Sequence, residues 1–177
     1  MSGLARRHLV LVGLMGVGKS TVGARCGMRL GRPFVDTDDL VELLAGARVA
    51  ELFARGEEEF RAVERAAVAD ACAAPASLVI ACGGGAVLDA GNRALLHACG
   101  FVVWLRAEPA VLAGRVEADG VERPLLAGDH ALAALTELAA RRDAVYRAVA
   151  DAAVATDHRT PEQVADAVLE EFAGCAA

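Results

Sequence analysis

The sequence predicts an α/β protein built on a parallel sheet that is buried on both faces. Short, almost continuous apolar runs, as in strands of such sheets, alternate with longer segments of helical periodicity. A glycine-rich segment, Gly13–Ser20, joins the first apolar run to the first helical pattern. The predicted strands are His8–Val12, Phe34–Val35, Ser77–Cys82, Phe101–Leu105 and Ala152–Ala155.

The predicted helices lie between these strands and after the last one. The final helix has a clear start, because Thr160 can cap it, Pro161 fits the first turn and Gln163 completes a capping box. The other helices are predicted at Lys19–Leu30, Glu57–Ala73, Gly91–Ala98, Glu108–Ala118 and Asp129–Ala150. No linker or repeat interrupts the order, so the 177 residues are expected to form a single domain.

Two regions depart from simple alternation. Residues 37–64 include a helical insert, Asp39–Gly56, which suggests a small substrate-binding subdomain. Residues 114–128 include the polar, glycine-containing stretch Glu117–Gly128, which contributes little to a core and is therefore expected to be a mobile lid.

Composition and charge exclude several classes of protein. The formal net charge of −6 does not favour nucleic acid binding, which depends on clustered basic residues. The five cysteines match no zinc or CxxC spacing. Glycine or proline breaks the apolar stretches Leu9–Val17 and Ala71–Leu88, so neither is expected to be a signal peptide or a membrane span. We expect a cytoplasmic protein with no membrane partner, and a monomer.

Gly13–Ser20 matches the phosphate-binding pattern GxxxxGK[ST] in full. Glycines let backbone N–H groups surround a phosphate, and the next helix adds positive potential at its N-terminus. Lys19 can reach the β- and γ-phosphates, and Ser20 can ligate Mg²⁺. The alternative is a glycine-rich turn with an incidental lysine. The expected ATP-binding residues here are Gly16, Val17, Gly18, Lys19, Ser20 and Thr21.

Acidic residues end the second predicted strand. Asp36 and Asp38 would point the same way in extended backbone, at the sheet edge where ligands gather. One carboxylate could support Mg²⁺ through water, and the other could accept the proton of an attacking hydroxyl group. The alternative is an N-cap cluster, and Asp39 is predicted to be such a cap. A base at Asp38 argues against a phosphate acceptor, which needs none.

Glycines and arginines complete the candidate site. Gly83–Gly85 follows the third predicted strand and would let a ligand touch the backbone, although a flexible turn is the alternative. Glu64 could orient Arg61 at i,i+3 spacing, although an exposed surface pair is commoner. Arg123 and Arg142 become candidate anion clamps beside a phosphate loop.

Five ordered segments together resemble the shikimate kinase family, over roughly residues 9–168. They are GLMGVGKS at Gly13–Ser20, DTD at Asp36–Asp38, GEEEFR at Gly56–Arg61, GGG at Gly83–Gly85 and RPLL at Arg123–Leu126. The resemblance implies a three-layer P-loop kinase fold, like that of nucleoside monophosphate kinases, with five parallel strands. It also implies transfer of the ATP γ-phosphoryl group to the 3-hydroxyl of shikimate, in aromatic amino-acid biosynthesis.

The resemblance implies residue roles as well. Asp38 would bind and deprotonate the hydroxyl, and Asp36 with Ser20 would support Mg²⁺. Lys19 and Arg123 would neutralise the moving phosphoryl group. The remaining roles are binding ones: Arg61 and Arg142 for the shikimate carboxylate, Gly83, Gly84 and Gly85 for the ring, and Arg115 and Arg159 beside adenine. Arg115–Glu122 and His158 depart from the family pattern, which weakens the adenine assignment.

Two other functions compete with this one. A gluconate kinase would share Lys19 and Ser20 but is not expected to carry the full set of Asp36, Asp38, Arg61 and the glycine triplet. A regulator that binds ATP without catalysis is expected to lack a catalytic acid or the lid arginine, and both Asp38 and Arg123 are present.

Overall fold

The computed structural model describes residues 8–119 and 131–175. Its sheet has five strands in the order β2-β3-β1-β4-β5, and every neighbouring pair is parallel. The strands are β1 His8–Val12, β2 Phe34–Asp36, β3 Val79–Ala81, β4 Gly100–Arg106 and β5 Ala152–Ala155. The predicted α/β class and parallel sheet are confirmed.

Helices cover both faces of the sheet and complete the three-layer arrangement. Helix α1 packs against α8, and α4 packs against α5. The helices are α1 Lys19–Leu30, α2 Thr37–Ala45, α3 Val49–Arg55, α4 Glu57–Ala73, α5 Ala90–Cys99, α6 Pro109–Asp119, α7 Ala131–Val149 and α8 Pro161–Gly174, with a 3₁₀ turn at Ala86–Leu88. The capping box predicted at Thr160 and Gln163 is present. Among the described residues, no helix is both long enough and apolar enough to cross a membrane.

The central strand β1 is buried along its whole length, including its one polar residue. Nδ1 of His8 accepts a hydrogen bond from the Leu78 backbone N–H at 3.0 Å. The other ring nitrogen, Nε2, lies 3.2 Å from the Cys72 carbonyl oxygen and can donate to it. Both nitrogens are therefore satisfied, which lets an imidazole occupy the core without an unpaired polar atom.

The helical insert has a small core of its own. Buried side chains from α2, α3 and α4 form this second cluster, namely Val41, Leu52, Phe60 and Ala67. The rings of Phe53 and Phe60 stack with their centroids 4.2 Å apart. The Arg61 guanidinium lies 5.2 Å from the Phe60 ring centroid, a cation–π distance. The aromatic pair of the insert thus contacts the guanidinium of Arg61.

Strand order indicates where a ligand would bind. From β1 the chain crosses to β2 at one edge of the sheet and later to β4 on the other side. Ligands of open parallel sheets bind at the carboxyl ends of strands beside such a reversal. The loops after β1 and β3 meet at this position.

Candidate active site

The loop between β1 and α1 adopts a conformation that requires glycine. Gly16 and Gly18 have φ angles of 77° and 94°, in the region that other residues rarely occupy. A Cβ atom on Gly16 would also lie 2.8 Å from Cγ2 of Val116. The sequence pattern therefore reflects a backbone that curls tightly at a helix N-terminus, as a phosphate-binding loop must.

Lys19 spans this loop from the first turn of α1. Its Nζ donates to the carbonyl oxygens of Gly13 at 2.9 Å and Leu14 at 3.0 Å. These bonds hold the ammonium group over the concave side of the loop. The arrangement therefore keeps one positive charge beside the backbone of the phosphate-loop motif.

A hydrogen bond between Ser20 and Asp36 joins the first turn of α1 to the end of β2. The Ser20 hydroxyl donates to Oδ2 of Asp36 at 2.6 Å. Oδ1 of Asp36 accepts from the Asp38 backbone N–H at 3.0 Å, so Asp36 is the N-cap of α2. The prediction that Asp39 is the cap is wrong, because β2 runs one residue further and the helix begins at Thr37. Asp38 consequently lies in a helical turn and not in extended backbone.

The carboxyl group of Asp38 binds its proton more tightly than an ordinary aspartate does. Burial raises its pKa from 3.8 to about 6, and the negative charge of Asp36 adds to the increase, while Lys19 opposes it. A pKa just below neutrality suits a general base, which must be ionised yet still able to hold a proton.

The glycine triplet lies between Asp38 and Arg61. The Gly83 N–H donates to the hydroxyl of the buried Thr37 at 2.9 Å, which ties the triplet to the start of α2. A Cβ atom on Gly83 would lie 2.6 Å from Oδ1 of Asp38, and one on Gly85 would lie 2.5 Å from Nη1 of Arg61. Side chains at Gly83 and Gly85 would displace the Asp38 carboxylate and the Arg61 guanidinium, which explains why both positions are glycine.

Arg61 is oriented by two acids, as the i,i+3 spacing predicted for Glu64. It donates to Oε2 of Glu64 at 2.7 Å and to Oε1 of Glu57 at 3.2 Å. Glu64 is only 1% exposed. Burial alone would lower the pKa of Arg61, but the two acids outweigh it and the pKa lies above its usual value. Burial raises the pKa of Glu64 despite Arg61.

Arg142 approaches the triplet from α7. It is 6% exposed and donates through Nη1 to the Gly84 carbonyl oxygen at 3.1 Å. The hydroxyl of Tyr146 donates to the same oxygen at 2.5 Å. Sequence reasoning singled out Arg142 but not Tyr146 or Thr37. For Tyr146 the one available signal was its position four residues after Arg142, on the same helix face.

The two residues predicted beside adenine, Arg115 and Arg159, both bond to Thr156. Arg115 on α6 donates to the Thr156 hydroxyl at 2.9 Å and to the Thr156 carbonyl oxygen at 2.8 Å. The Arg159 backbone N–H donates to the same carbonyl oxygen at 3.4 Å. The structure therefore brings α6 and the loop after β5 together. Arg123 lies outside the described residues; of the segment predicted as a lid, residues 114–119 form the end of α6.

Known proteins provide an independent comparison. The family model described as shikimate kinase matches residues 15–173. A shikimate kinase of Symbiobacterium thermophilum is 49% identical over 167 residues, covering 93% of this chain and 95% of that protein. The solved shikimate kinase from Acinetobacter baumannii in complex with shikimate has a TM-score of 0.90 at 34% identity, covering 95% and 93% of the two chains.

A gluconokinase from Sinorhizobium meliloti is a more distant structural neighbour. It has a TM-score of 0.65 at 19% identity, and the match covers 97% of this chain and 94% of that one. This likeness shows the shared fold alone.

Proposed function

The chain belongs to the shikimate kinase family, and we propose that the site at the carboxyl edge of its sheet transfers the γ-phosphoryl group of ATP to the 3-hydroxyl of shikimate. The observation that carries the proposal is the meeting of three groups at the glycine triplet: a carboxylate at Asp38, a guanidinium at Arg61 and a second guanidinium at Arg142. A base and two anion-binding groups beside a phosphate loop suit an acceptor that has both a hydroxyl and a carboxylate.

ATP would bind along the loop from Gly16 to Thr21. The loop N–H groups and the positive end of α1 would bind its phosphates, and the Lys19 ammonium would neutralise charge that develops on the γ-phosphoryl group. Arg115 and Arg159 would flank the adenine, which is consistent with their common attachment to Thr156. Arg123 would add positive charge during transfer, a role that rests on the sequence resemblance.

A magnesium ion fits the oxygen atoms beside the loop. The Ser20 hydroxyl and the Asp36 carboxylate lie 2.6 Å apart, and hard cations such as Mg²⁺ prefer oxygen ligands of this kind. Ser20 would bind the ion directly and Asp36 would support it through water. When bound, the ion would neutralise charge on the phosphate oxygens.

Asp38 would act on the hydroxyl of the acceptor. Its raised pKa gives it the proton affinity of a general base near neutral pH. A carboxylate at this point would repel a phosphate acceptor, so the geometry favours an alcohol. Because Asp38 lies beside Gly83, the acceptor ring would rest on the backbone of the triplet.

Two arginines would bind the acceptor's carboxylate. The planar guanidinium matches the two oxygens of a carboxylate, and both arginines are already oriented, Arg61 by Glu64 and Arg142 by the Gly84 carbonyl group. Gluconate offers a carboxylate too, but it is an open chain that could not rest on the triplet as a ring does.

We further propose that the chain acts in the cytoplasm as a monomer with no nucleic acid or membrane partner, supported by its composition and net charge of −6.

A coupled assay of ADP release tests the proposal. The purified chain with ATP and Mg²⁺ should turn over with shikimate, and should release ADP far more slowly with gluconate or with no acceptor. Product identification by phosphorus NMR should show a phosphate ester of shikimate. Faster turnover with gluconate, or equal ADP release without an acceptor, would contradict the assignment.

A further inference from the structure

We propose that Tyr146 is a positioning residue of the acceptor site, whose hydroxyl fixes the Gly84 carbonyl group and through it the guanidinium of Arg142. The inference rests on the proposed function, because Arg142 matters to catalysis only if it binds the acceptor. Tyr146 contacts the Gly84 backbone and the Arg142 side chain, and it would not touch the reacting atoms.

Two donors converge on one carbonyl oxygen. The Tyr146 hydroxyl donates to Gly84 O at 2.5 Å, and Nη1 of Arg142 donates to the same oxygen at 3.1 Å. A carbonyl oxygen has two lone pairs, so these two bonds fill its capacity. Arg142 and Tyr146 are separated by one turn of α7 and reach the triplet side by side. The helix thus binds the triplet at a single point through two side chains.

Gly84 lies close both to the phosphate loop and to Arg142. A Cβ atom placed on it would lie 3.5 Å from the Gly13 carbonyl oxygen, 3.6 Å from the Met15 backbone nitrogen and 3.8 Å from Nη1 of Arg142. The space beside the Gly84 Cα atom is therefore bordered both by the phosphate loop and by Arg142. A displacement of Gly84 would change the position of Arg142 relative to the phosphates.

The surroundings of Tyr146 hold its ring in one orientation. Its side chain is buried, and its ring stacks on that of Trp104 of β4 with centroids 5.9 Å apart and planes inclined by 20°. Burial raises the pKa of Tyr146 to about 12, so the hydroxyl keeps its proton and remains a donor throughout the neutral range. The hydrogen bond therefore has a fixed direction, set by the core of the protein.

The bond to Gly84 orients those N–H groups of the Arg142 guanidinium that it does not itself use. A guanidinium has five N–H groups, and the bond to Gly84 uses one of them and sets the plane of the others. Without the tyrosine hydroxyl, Gly84 would lose one of its two anchors while keeping the bond from Arg142. No buried acceptor would be left unpaired, so the variant should fold, but the arginine and the triplet could move together.

Tyr146→Phe tests the inference, with Thr136→Val as a matched control. Thr136 is an exposed residue of the same helix whose hydroxyl donates to the Leu132 carbonyl oxygen at 2.7 Å, ten residues or about 15 Å along the helix from Tyr146. We expect Tyr146→Phe to raise KM and Kd for shikimate about 3- to 10-fold, the loss of one ordinary hydrogen bond, with KM for ATP changed less. Thr136→Val should leave both unchanged, and thermal melts should show both variants folded.

A double-mutant cycle separates positioning from a general structural role. In an Arg142→Ala background, Tyr146→Phe should add little further loss, because the group that it positions is gone. A shikimate analogue lacking the carboxylate should likewise be used equally by Tyr146→Phe and wild type. Full additivity in the cycle, equal losses for both acceptors, or unchanged shikimate binding in Tyr146→Phe would overturn the inference. Failure of the wild type to use shikimate would instead contradict the proposed function.

Discussion

Nη1 of Arg61 donates to Oε2 of Glu64 at 2.7 Å, and the acid that receives this bond is almost completely buried. The guanidinium so oriented lies against Gly85, where an added Cβ atom would come within 2.9 Å of Nη1, Nη2 and Cζ. The pair therefore fixes one side of the proposed acceptor site before any ligand arrives, which would reduce the entropy lost on binding.

Arg61→Ala should chiefly weaken acceptor binding. We expect KM for shikimate to rise at least about 10-fold, since a charged hydrogen-bond partner contributes about 1.5–3 kcal/mol, while KM for ATP changes little. Arg61→Lys should restore little, because an ammonium cannot form the paired contact. Steady-state kinetics with Arg55→Ala as the control, an exposed arginine of the same insert, provide the measurement. Equal loss with a carboxylate-free analogue would contradict the contact.

Lys19→Ala should remove most of the catalytic rate. A preorganised positive charge at the phosphates is expected to contribute about 10²-fold or more to kcat. Arg29→Ala is a suitable control, because Arg29 lies on the same helix but pairs with Asp166 on α8. Turnover assays of both variants should separate a specific effect from a general loss of positive charge. Near-normal kcat in Lys19→Ala would show that this loop does not bind the transferred phosphate.

Alanine at the outer glycines of the triplet should disturb two different functions. Gly83→Ala would place Cβ 2.6 Å from Oδ1 of Asp38, so kcat should fall. Gly85→Ala would place Cβ 2.5 Å from Nη1 of Arg61, so KM for shikimate should rise. Gly174→Ala serves as the control, because a Cβ there meets nothing within 4 Å. If Gly83→Ala and Gly85→Ala gave the same change in both constants, the triplet would not separate the two groups as described.

Features that depend on residues close together in the sequence could be predicted from it. The strands, the phosphate loop and the Arg61–Glu64 pair could be predicted, because each depends on residues a few positions apart. The N-cap of α2 could not be predicted, because Asp36, Asp38 and Asp39 are all suitable cap residues. Which of them is the cap depends on the residue at which β2 ends. Tyr146 was missed because its partner, Gly84, is 62 residues away and only the packing of α7 brings them together.

The pH dependence of kcat/KM should reflect Asp38. The pKa of Asp38 is raised to about 6, and a general base must be ionised to act. The value of kcat/KM should therefore be level above neutrality and fall about tenfold per pH unit below pH 6. A profile that stays level down to pH 4.5 would exclude Asp38 as the base.

The same pKa shift predicts how stability changes with pH. The folded state binds the Asp38 proton more tightly than the unfolded state, so the free energy of unfolding should decrease as pH rises from 3.8 to about 6. Asp38→Asn should remove this penalty and stabilise the folded protein above pH 6, by up to about 3 kcal/mol. The gain should vanish near pH 3, where both forms are neutral. Urea unfolding of both proteins at pH 3 and pH 7 measures it.

The role of Asp38 is tested most directly by Asp38→Asn with shikimate as the acceptor. Asparagine keeps the shape of the side chain but cannot accept the proton, so kcat should fall by about 10²- to 10⁴-fold. The Kd for shikimate, measured by calorimetry without nucleotide, should stay within about threefold of wild type, because Arg61 and Arg142 still bind the carboxylate. Asp38→Asn turnover at the wild-type rate, with shikimate still bound, would contradict the account, because proton acceptance at Asp38 would then play no part in the transfer.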